Sequence, residues 1–199
     1  MNFKVLLGII STLITFIGFA FYFKDILAHK TKPHAFSWFI WSILIGVAFF
    51  GQISDNAGPG AWSLGISAVL CFGVFIFALK QGEKNIVKSD WISFIGALVS
   101  IILWLITKTP LFSVILVMII DALAFYPTFR KSYFKPYSET LITYVLSVTK
   151  LVISLFALTN VSIITALYPL YLILANGSFA VMLVIRRKKL SISNFFYFL

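Results

Sequence analysis

Seven long apolar segments divide this chain, and short polar or basic connectors separate them. The segments cover roughly 4–23, 36–53, 60–80, 91–107, 110–127, 138–158 and 161–185. A helix needs about 20 predominantly apolar residues to cross the hydrocarbon core of a bilayer, and each segment comes close to that length. The sequence therefore predicts an all-α membrane protein with seven transmembrane helices.

The composition argues against a soluble fold. Apolar residues make up 61% of the 199 residues and charged residues only 11%, whereas a soluble domain averages about 45–50% and about 25%. A globular core of this size cannot cover so much apolar surface, so lipid must form part of the solvent. We expect a multi-pass protein of a bacterial or archaeal plasma membrane, with the lipid bilayer as a partner.

The basic residues fall almost entirely on one side of the predicted helices. When successive connectors are assigned to alternate sides of the membrane, one side holds only Lys4 and Lys108. The other side receives thirteen: Lys24, Lys30, Lys32, Lys80, Lys84, Lys88, Arg130, Lys131, Lys135, Arg186, Arg187, Lys188 and Lys189. The positive-inside rule then places the N-terminus outside and the C-terminus in the cytoplasm. This topology explains the net charge of +10, and no nucleic-acid partner is expected.

Two connectors indicate an internal duplication. Lys32-Pro33 and Lys135-Pro136 each precede an apolar segment and lie 103 residues apart. Proline at the first helical position costs little because the N–H there has no intrahelical acceptor, so each proline is predicted to open the next helix. The fourth segment reverses the chain and makes the two triple-helix units parallel.

The duplication predicts a cleft between two matching halves. The expected parts are a first triple-helix bundle over 1–80, a linker with the fourth helix over 81–109, a second bundle over 110–189 and a short aromatic tail over 190–199. In transporters built from such repeats, the solute site lies near the bilayer midplane at the repeat interface. The cleft is therefore the first place to look for a binding site.

Two ionisable residues, Asp121 and Lys150, lie well inside apolar segments. A charge at mid-bilayer depth costs at least about 2.5–3.5 kcal/mol, so such residues usually face a cavity, the bundle interior or each other. Three alternatives remain open: a solute or proton site, a static interhelical pair, or a lysine that snorkels to the interface. Depths counted from Pro127 and Tyr137 leave open whether the two side chains meet.

The layout resembles the SWEET and PQ-loop superfamily in its seven helices, outside N-terminus, two parallel triples and one linker helix. The local matches are Lys131-Ser132, Lys30-Thr31 and Phe36-Ser37. The resemblance implies that two halves rock about a central pocket. In that family this motion gives alternating access to sugars or, in lysosomal relatives, to amino acids.

The chain departs from the motifs of that family. The Pro-Gln pair is absent, and its nearest approximation is Pro127-Thr128. By spacing, the family's two hinge prolines would fall near Gly18 and near Ile120-Asp121. Its stacking aromatic residue would fall at Lys150, and its pocket asparagine would fall near Leu170 and not at Asn176. The resemblance therefore implies a retained fold with a pocket rebuilt around Asp121 and Lys150.

The predicted solute site combines these two charges with polar and aromatic neighbours. Its residues are Asp121, Lys150, Asn176, Trp41, Tyr144 and Ser147, and the hinge or helix-start positions are Pro33, Pro127, Pro136, Pro169 and Gly18. Lys150 would receive a carboxylate or phosphate, while Asp121 would balance it or carry a proton. The predicted function is alternating-access transport of a small anionic or zwitterionic solute, such as an amino acid or carboxylate. The alternative is a non-transporting receptor or scaffold with a static Asp121–Lys150 pair.

Other polar residues indicate no enzyme, cofactor or metal site. His29 and His34 share one connector without a cysteine or carboxylate cluster and are expected to be solvated. Trp38 and Trp91 lie near segment ends, which is typical of the aromatic belt at a membrane surface. Cys71 is expected to be a small core residue. The sequence leaves a homo-oligomer open.

Overall fold

The computed structural model describes residues 2–107 and 110–197, and within these ranges the chain forms seven α-helices and no strand. The helices are α1 Phe3–Leu27, α2 Ala35–Ser54, α3 Trp62–Gln81, α4 Lys88–Thr107, α5 Pro110–Phe134, α6 Leu141–Phe156 and α7 Ile163–Tyr197. Short 3₁₀ helices, Gly58–Ala61 and Pro136–Ser138, precede α3 and α6. The all-helical prediction is confirmed for the described residues.

Several helix ends differ from the predicted ones. α5 continues through Pro127 to Phe134, and α7 continues to Tyr197, because a helix does not have to stop where the apolar pattern stops. Neither connector proline occupies the first position of the α-helix that follows it, α2 or α6. Pro33 lies two residues before α2, and Pro136 begins the 3₁₀ helix that precedes α6.

Among the described residues, four helical stretches are long and apolar enough to cross a membrane. They are Phe3–Leu27, Ala35–Ser54, Gly58–Gln81 and Ile163–Ser191. α6 is apolar but shorter, with 16 residues. Lys108, which the topology prediction places on the sparsely charged side, lies outside the described residues. The four spans indicate an integral membrane protein.

The distribution of polarity supports a lipid environment. Ile92, Val69 and Leu174 point outward and are 70–74% exposed. Hydroxyl side chains occupy the interior instead, including those of Ser11, Ser37, Ser63, Ser67, Ser154 and Thr165. Lipid offers no hydrogen-bonding partners, so polar side chains are favoured in the interior of the bundle rather than on its outer surface.

The helices pack in two groups with the same internal arrangement. α3 contacts both α1 and α2, and α7 contacts both α5 and α6. Across the groups, α1 packs against α6 and α2 against α5, while α4 packs mainly against α5. At the α1–α6 contact the Thr143 hydroxyl donates to the Gly18 carbonyl at 2.9 Å. A Cβ on Gly18 would lie 3.4 Å from Leu146, which is an ordinary van der Waals contact, so this contact does not require glycine.

Pro169 interrupts the hydrogen bonding of α7 without ending the helix. Its missing N–H frees the carbonyl of Thr165, four residues earlier. The buried amide of Gln52 donates to that carbonyl at 2.5 Å. A side chain of α2 therefore satisfies the α7 carbonyl that the proline leaves without its helical donor.

Candidate functional site: a chamber between the two helix groups

A cavity of about 60 Å³ lies among all the helices except α4. All six residues predicted for the solute site line it: Asp121, Lys150, Asn176, Trp41, Tyr144 and Ser147. We call this cavity the chamber. Apart from the partly buried Ser147 and Asn176, its lining residues are buried. A space of this size has room for a few water molecules.

The two charged residues lie deep in their helices. Asp121 is 13 residues before the end of α5, about 20 Å at 1.5 Å per residue. Lys150 is nine residues after the start of α6, about 14 Å by the same rise. Because the hydrocarbon core is about 30 Å thick, both depths are compatible with the middle of a bilayer.

Asp121 is held by two tyrosines of α7. Its side chain is 1% exposed. Its Oδ1 accepts from the Tyr168 hydroxyl at 2.9 Å, and its Oδ2 accepts from the Tyr171 hydroxyl at 3.1 Å. Both carboxylate oxygens therefore have a donor, which offsets part of the cost of removing the group from water.

Lys150 has no acidic partner among the described residues. The side chain is 5% exposed, its Nζ donates to Ser67 Oγ, and Nζ lies 5.8 Å from the centre of the Phe19 ring. No ion pair joins it to Asp121 in the described structure. An ammonium has three donors, and Ser67 accepts one of them. This geometry is neither the static pair nor the snorkelling lysine considered from the sequence.

Aromatic rings form one wall of the chamber. Trp38 is 4% exposed, and its ring lies 4.7 Å from Tyr22 and 5.2 Å from Trp41. The Trp41 ring lies 4.8 Å from that of Phe125. The assignment of Trp38 to a membrane-surface belt is therefore wrong, because this face of α2 is turned into the bundle. Trp91 is exposed, as expected.

Asn176 lines the chamber, although the family spacing favoured a position near Leu170. Leu170 is 47% exposed on the outer surface, so that assignment is wrong. The Asn176 amide donates to the Leu172 carbonyl at 2.8 Å within its own helix. The position near Leu170 was obtained by counting forward from Pro136, which precedes it by more than 30 residues. A count over that distance does not determine which face of α7 a residue occupies.

The predicted hinge positions lie in different settings. Pro127 and Pro169 are inside α5 and α7, Pro33 and Pro136 are buried in connectors, and Gly18 lies at the α1–α6 contact. None of the five lines the chamber. Their role as hinges stays a prediction.

The sequence reading missed Glu139, which lies where the basic connectors meet. It is 1% exposed and forms a buried ion pair with Lys131. Its Oε2 accepts from the hydroxyls of Tyr22 at 2.8 Å and Tyr144 at 3.0 Å. Glu139, Lys131, Tyr22 and Tyr144 therefore form one buried polar cluster. One signal was available: Glu139 is one of only six acidic residues in the chain.

Further bonds at this basic end join the two helix groups. Lys131 Nζ donates to the Lys32 carbonyl at 2.5 Å, and the Lys32 N–H donates to the Ser138 carbonyl at 3.0 Å. The hydroxyls of Thr31 and Thr140 lie 2.6 Å apart. The two connectors that carry Lys-Pro therefore contact each other directly.

The opposite end is also bridged, mainly by neutral donors and carbonyls. Besides the Gln52–Thr165 bond, the Thr159 N–H donates to the Ala57 carbonyl at 2.9 Å. The Asn160 amide donates to the Asp55 carbonyl at 3.0 Å. The structure therefore holds the chamber between two sets of contacts, one at each end of the bundle.

A separate cluster fastens α4 to its neighbours. Arg130 donates to the buried Asp90 through Nη2 at 2.7 Å and Nε at 2.9 Å, and His34 Nε2 lies 3.4 Å from the same carboxylate. His34 is fully buried, so its expected solvation is wrong. Burial lowers the pKa of His34 despite the opposing effect of Asp90. The described residues contain no group of three potential metal ligands from His, Cys, Asp and Glu.

Comparisons with protein-family models, with curated proteins and with solved structures found no match to this chain. The chamber, its two charges and its two closed ends are therefore the basis for any functional assignment.

Proposed function

We propose that this protein is a seven-span, SWEET-like carrier of a small anionic or zwitterionic solute, such as a carboxylate or an amino acid. The solute would occupy the chamber, and the halves 1–80 and 110–187 would rock to expose it to each side in turn. One observation carries the proposal: the buried Lys150 ammonium, which has no acidic partner in the described part of the chain, faces a cavity between two helix groups.

The packing supports a duplicated architecture. Each group has its third helix in contact with the other two, and the contacts between groups pair α1 with α6 and α2 with α5. Such reciprocal contacts are what two parallel repeats related by an axis along the membrane normal would make. Six helices from the two groups line the chamber, so relative motion of the groups would change its access.

The chemistry of Lys150 supports an anionic group on the solute. A desolvated ammonium is costly unless it is paired, and Ser67 supplies only a neutral acceptor. A carboxylate or phosphate in the chamber would supply the missing charge and accept the remaining N–H groups.

The role of Asp121 follows from its own partners. The hydroxyls of Tyr168 and Tyr171 each occupy one lone-pair site on one carboxylate oxygen of Asp121. Each of these oxygens has a second lone-pair site that can accept another hydrogen bond. Asp121 is therefore able to accept from the ammonium of a zwitterion or to carry a proton during transport. A static scaffold with a closed Asp121–Lys150 pair finds less support, since the two residues bind different partners.

Uptake into proteoliposomes tests the proposal, with labelled carboxylates, amino acids and neutral sugars as the panel. The Lys150→Ala variant should reduce uptake of the transported solute about tenfold or more, because a hydrogen bond to a charged group contributes about 1.5–3 kcal/mol. Thr149→Ala is the matched control: its side chain is exposed and bonds to the Val145 carbonyl of its own helix. Equal transport by Lys150→Ala and wild type would remove the role given to the lysine.

A further inference from the structure

We propose that Glu139 is a latch that closes the chamber toward the basic end of the bundle. The latch consists of its ion pair with Lys131 and its hydrogen bonds from Tyr22 and Tyr144. The inference rests on the proposed function only in assuming that this end opens during transport. Glu139 acts as a positioning residue, since it is absent from the chamber lining.

The latch gathers groups from four helices around one residue. Lys131 comes from the last turn of α5, Tyr22 from α1 and Tyr144 from the first turn of α6. Arg187 of α7 donates to the Glu139 main-chain carbonyl at 2.5 Å. Separation of the two helix groups at this end would pull Tyr22 away from Glu139 and Lys131 Nζ away from the Lys32 carbonyl.

The carboxylate is what holds these groups together. Without it, a buried ammonium loses its counter-charge and two buried hydroxyls lose their acceptor, and each loss is costly in a low dielectric. The Gln52, Ala57 and Asp55 contacts at the opposite end do not involve this carboxylate. A change at Glu139 should therefore affect access from one end only.

Tyr144 connects the latch to the chamber. It lines the chamber and donates to Glu139, whereas Tyr22 makes the equivalent bond without lining the chamber. The chamber wall and the latch therefore share one side chain. Removing the Tyr22 hydroxyl weakens the latch and leaves the chamber lining intact.

The single cysteine supplies the readout. Cys71 is buried and lines the chamber, so its reaction with sulfonatoethyl methanethiosulfonate, a charged reagent excluded by bilayers, reports aqueous access. The labelling rate is measured in sealed vesicles with the reagent on either face. A Lys84→Cys, Cys71→Ser variant identifies the face that carries the basic end, because Lys84 is exposed there.

Glu139→Gln should raise Cys71 labelling from the basic face about tenfold, the ratio that corresponds to a loss of about 1.4 kcal/mol. Tyr22→Phe should raise it about threefold, since it removes one bond and leaves the ion pair. Labelling from the opposite face should stay at the wild-type rate or fall. Lys135→Met is the control, because it breaks the more exposed pair with Glu83 at the same end and should leave labelling unchanged.

Unchanged labelling from the basic face in Tyr22→Phe, or an equal rise from both faces, would overturn the latch. Tyr22→Phe decides the test if Glu139→Gln does not fold, because it deletes only one oxygen atom. The assay needs no solute, so the two proposals fail separately. If Cys71 labelling rises from one face but the protein takes up no solute, the carrier proposal is contradicted. If solute uptake is normal but the variants leave Cys71 labelling unchanged, the latch proposal is contradicted.

Discussion

The two ends of the bundle are closed by different chemistry. At the basic end, the buried Glu139 carboxylate pairs with the Lys131 ammonium and accepts from the hydroxyls of Tyr22 and Tyr144. Lys131 also donates to the Lys32 carbonyl of the other helix group.

At the opposite end, amides and backbone N–H groups bind carbonyls of the facing helix group. Lys4 donates to the Leu158 carbonyl there and the Ser162 hydroxyl donates to the Asp55 carboxylate, but the described residues form no ion pair at this end. Breaking one partner of a buried ion pair is far more costly than losing one neutral hydrogen bond. The basic end should therefore respond to single substitutions much more strongly than the opposite end does.

The largest expected effect is on the buried ion pair. Lys131→Met or Glu139→Leu should lower the free energy of unfolding by about 3–5 kcal/mol, because each leaves a buried charge without its partner. Thermal unfolding in detergent measures the change. The double variant Lys131→Met, Glu139→Leu should recover much of the loss, since it removes both charges. A double variant as unstable as the sum of the single ones would contradict this account.

A smaller effect is expected at the opposite end. Gln52→Leu should cost about 1–3 kcal/mol, because the buried Thr165 carbonyl loses its donor. Pro169→Ala restores a backbone N–H four residues after Thr165, so Gln52→Leu should cost less in that background. The same unfolding assay completes the double-mutant cycle. Equal costs in both backgrounds would show that Gln52 does not compensate for the proline.

The smallest effect concerns the more exposed ion pair at the basic end. Burial alone would raise the pKa of Glu83, but the Asn85 N–H and Lys135 outweigh it and hold that pKa below its usual value. A carboxyl with a depressed pKa adds stability above its unfolded pKa, about 4.3 for Glu, and this stability is lost as pH falls through the folded pKa. Because the Lys135 side chain is 55% exposed, the contribution should be under about 1 kcal/mol.

The difference in unfolding midpoint between wild type and Glu83→Gln measures this contribution. Wild type should be slightly more stable at neutral pH, and the two should converge once the pH falls below the folded pKa of Glu83. A gap that widens on acidification would reverse the sign assigned to Glu83.

The sequence predicted the helical class and six of the sixteen residues that line the chamber, and one physical reason identifies the charged and amide residues among them. Charged and amide groups inside apolar segments have few favourable places other than a cavity or the bundle interior. Asp121, Lys150 and Asn176 were identifiable on that basis. Their partners were not, because the bonds from Tyr168 to Asp121 and from Lys150 to Ser67 join segments far apart in the chain.

Two errors show where sequence reasoning stopped. Trp38 lies near a helix start, where a surface position and a buried one have the same sequence pattern. Only the contacts of its ring with Phe19 and Tyr22 of α1 show that it is buried. Glu139 lies in a polar connector next to Pro136, so it had the composition of a solvated loop. Its burial depends on Tyr22, Lys131 and Tyr144 converging from three helices.

Access of water to the chamber in the wild-type protein tests the central claim most directly. A carrier that alternates between two faces should allow sulfonatoethyl methanethiosulfonate to label Cys71 from each side of sealed vesicles. Labelling in denaturant supplies the control for thiol reactivity. A Cys71 that reacts in denaturant and resists the reagent from both sides of the folded protein would contradict alternating access and favour a static bundle.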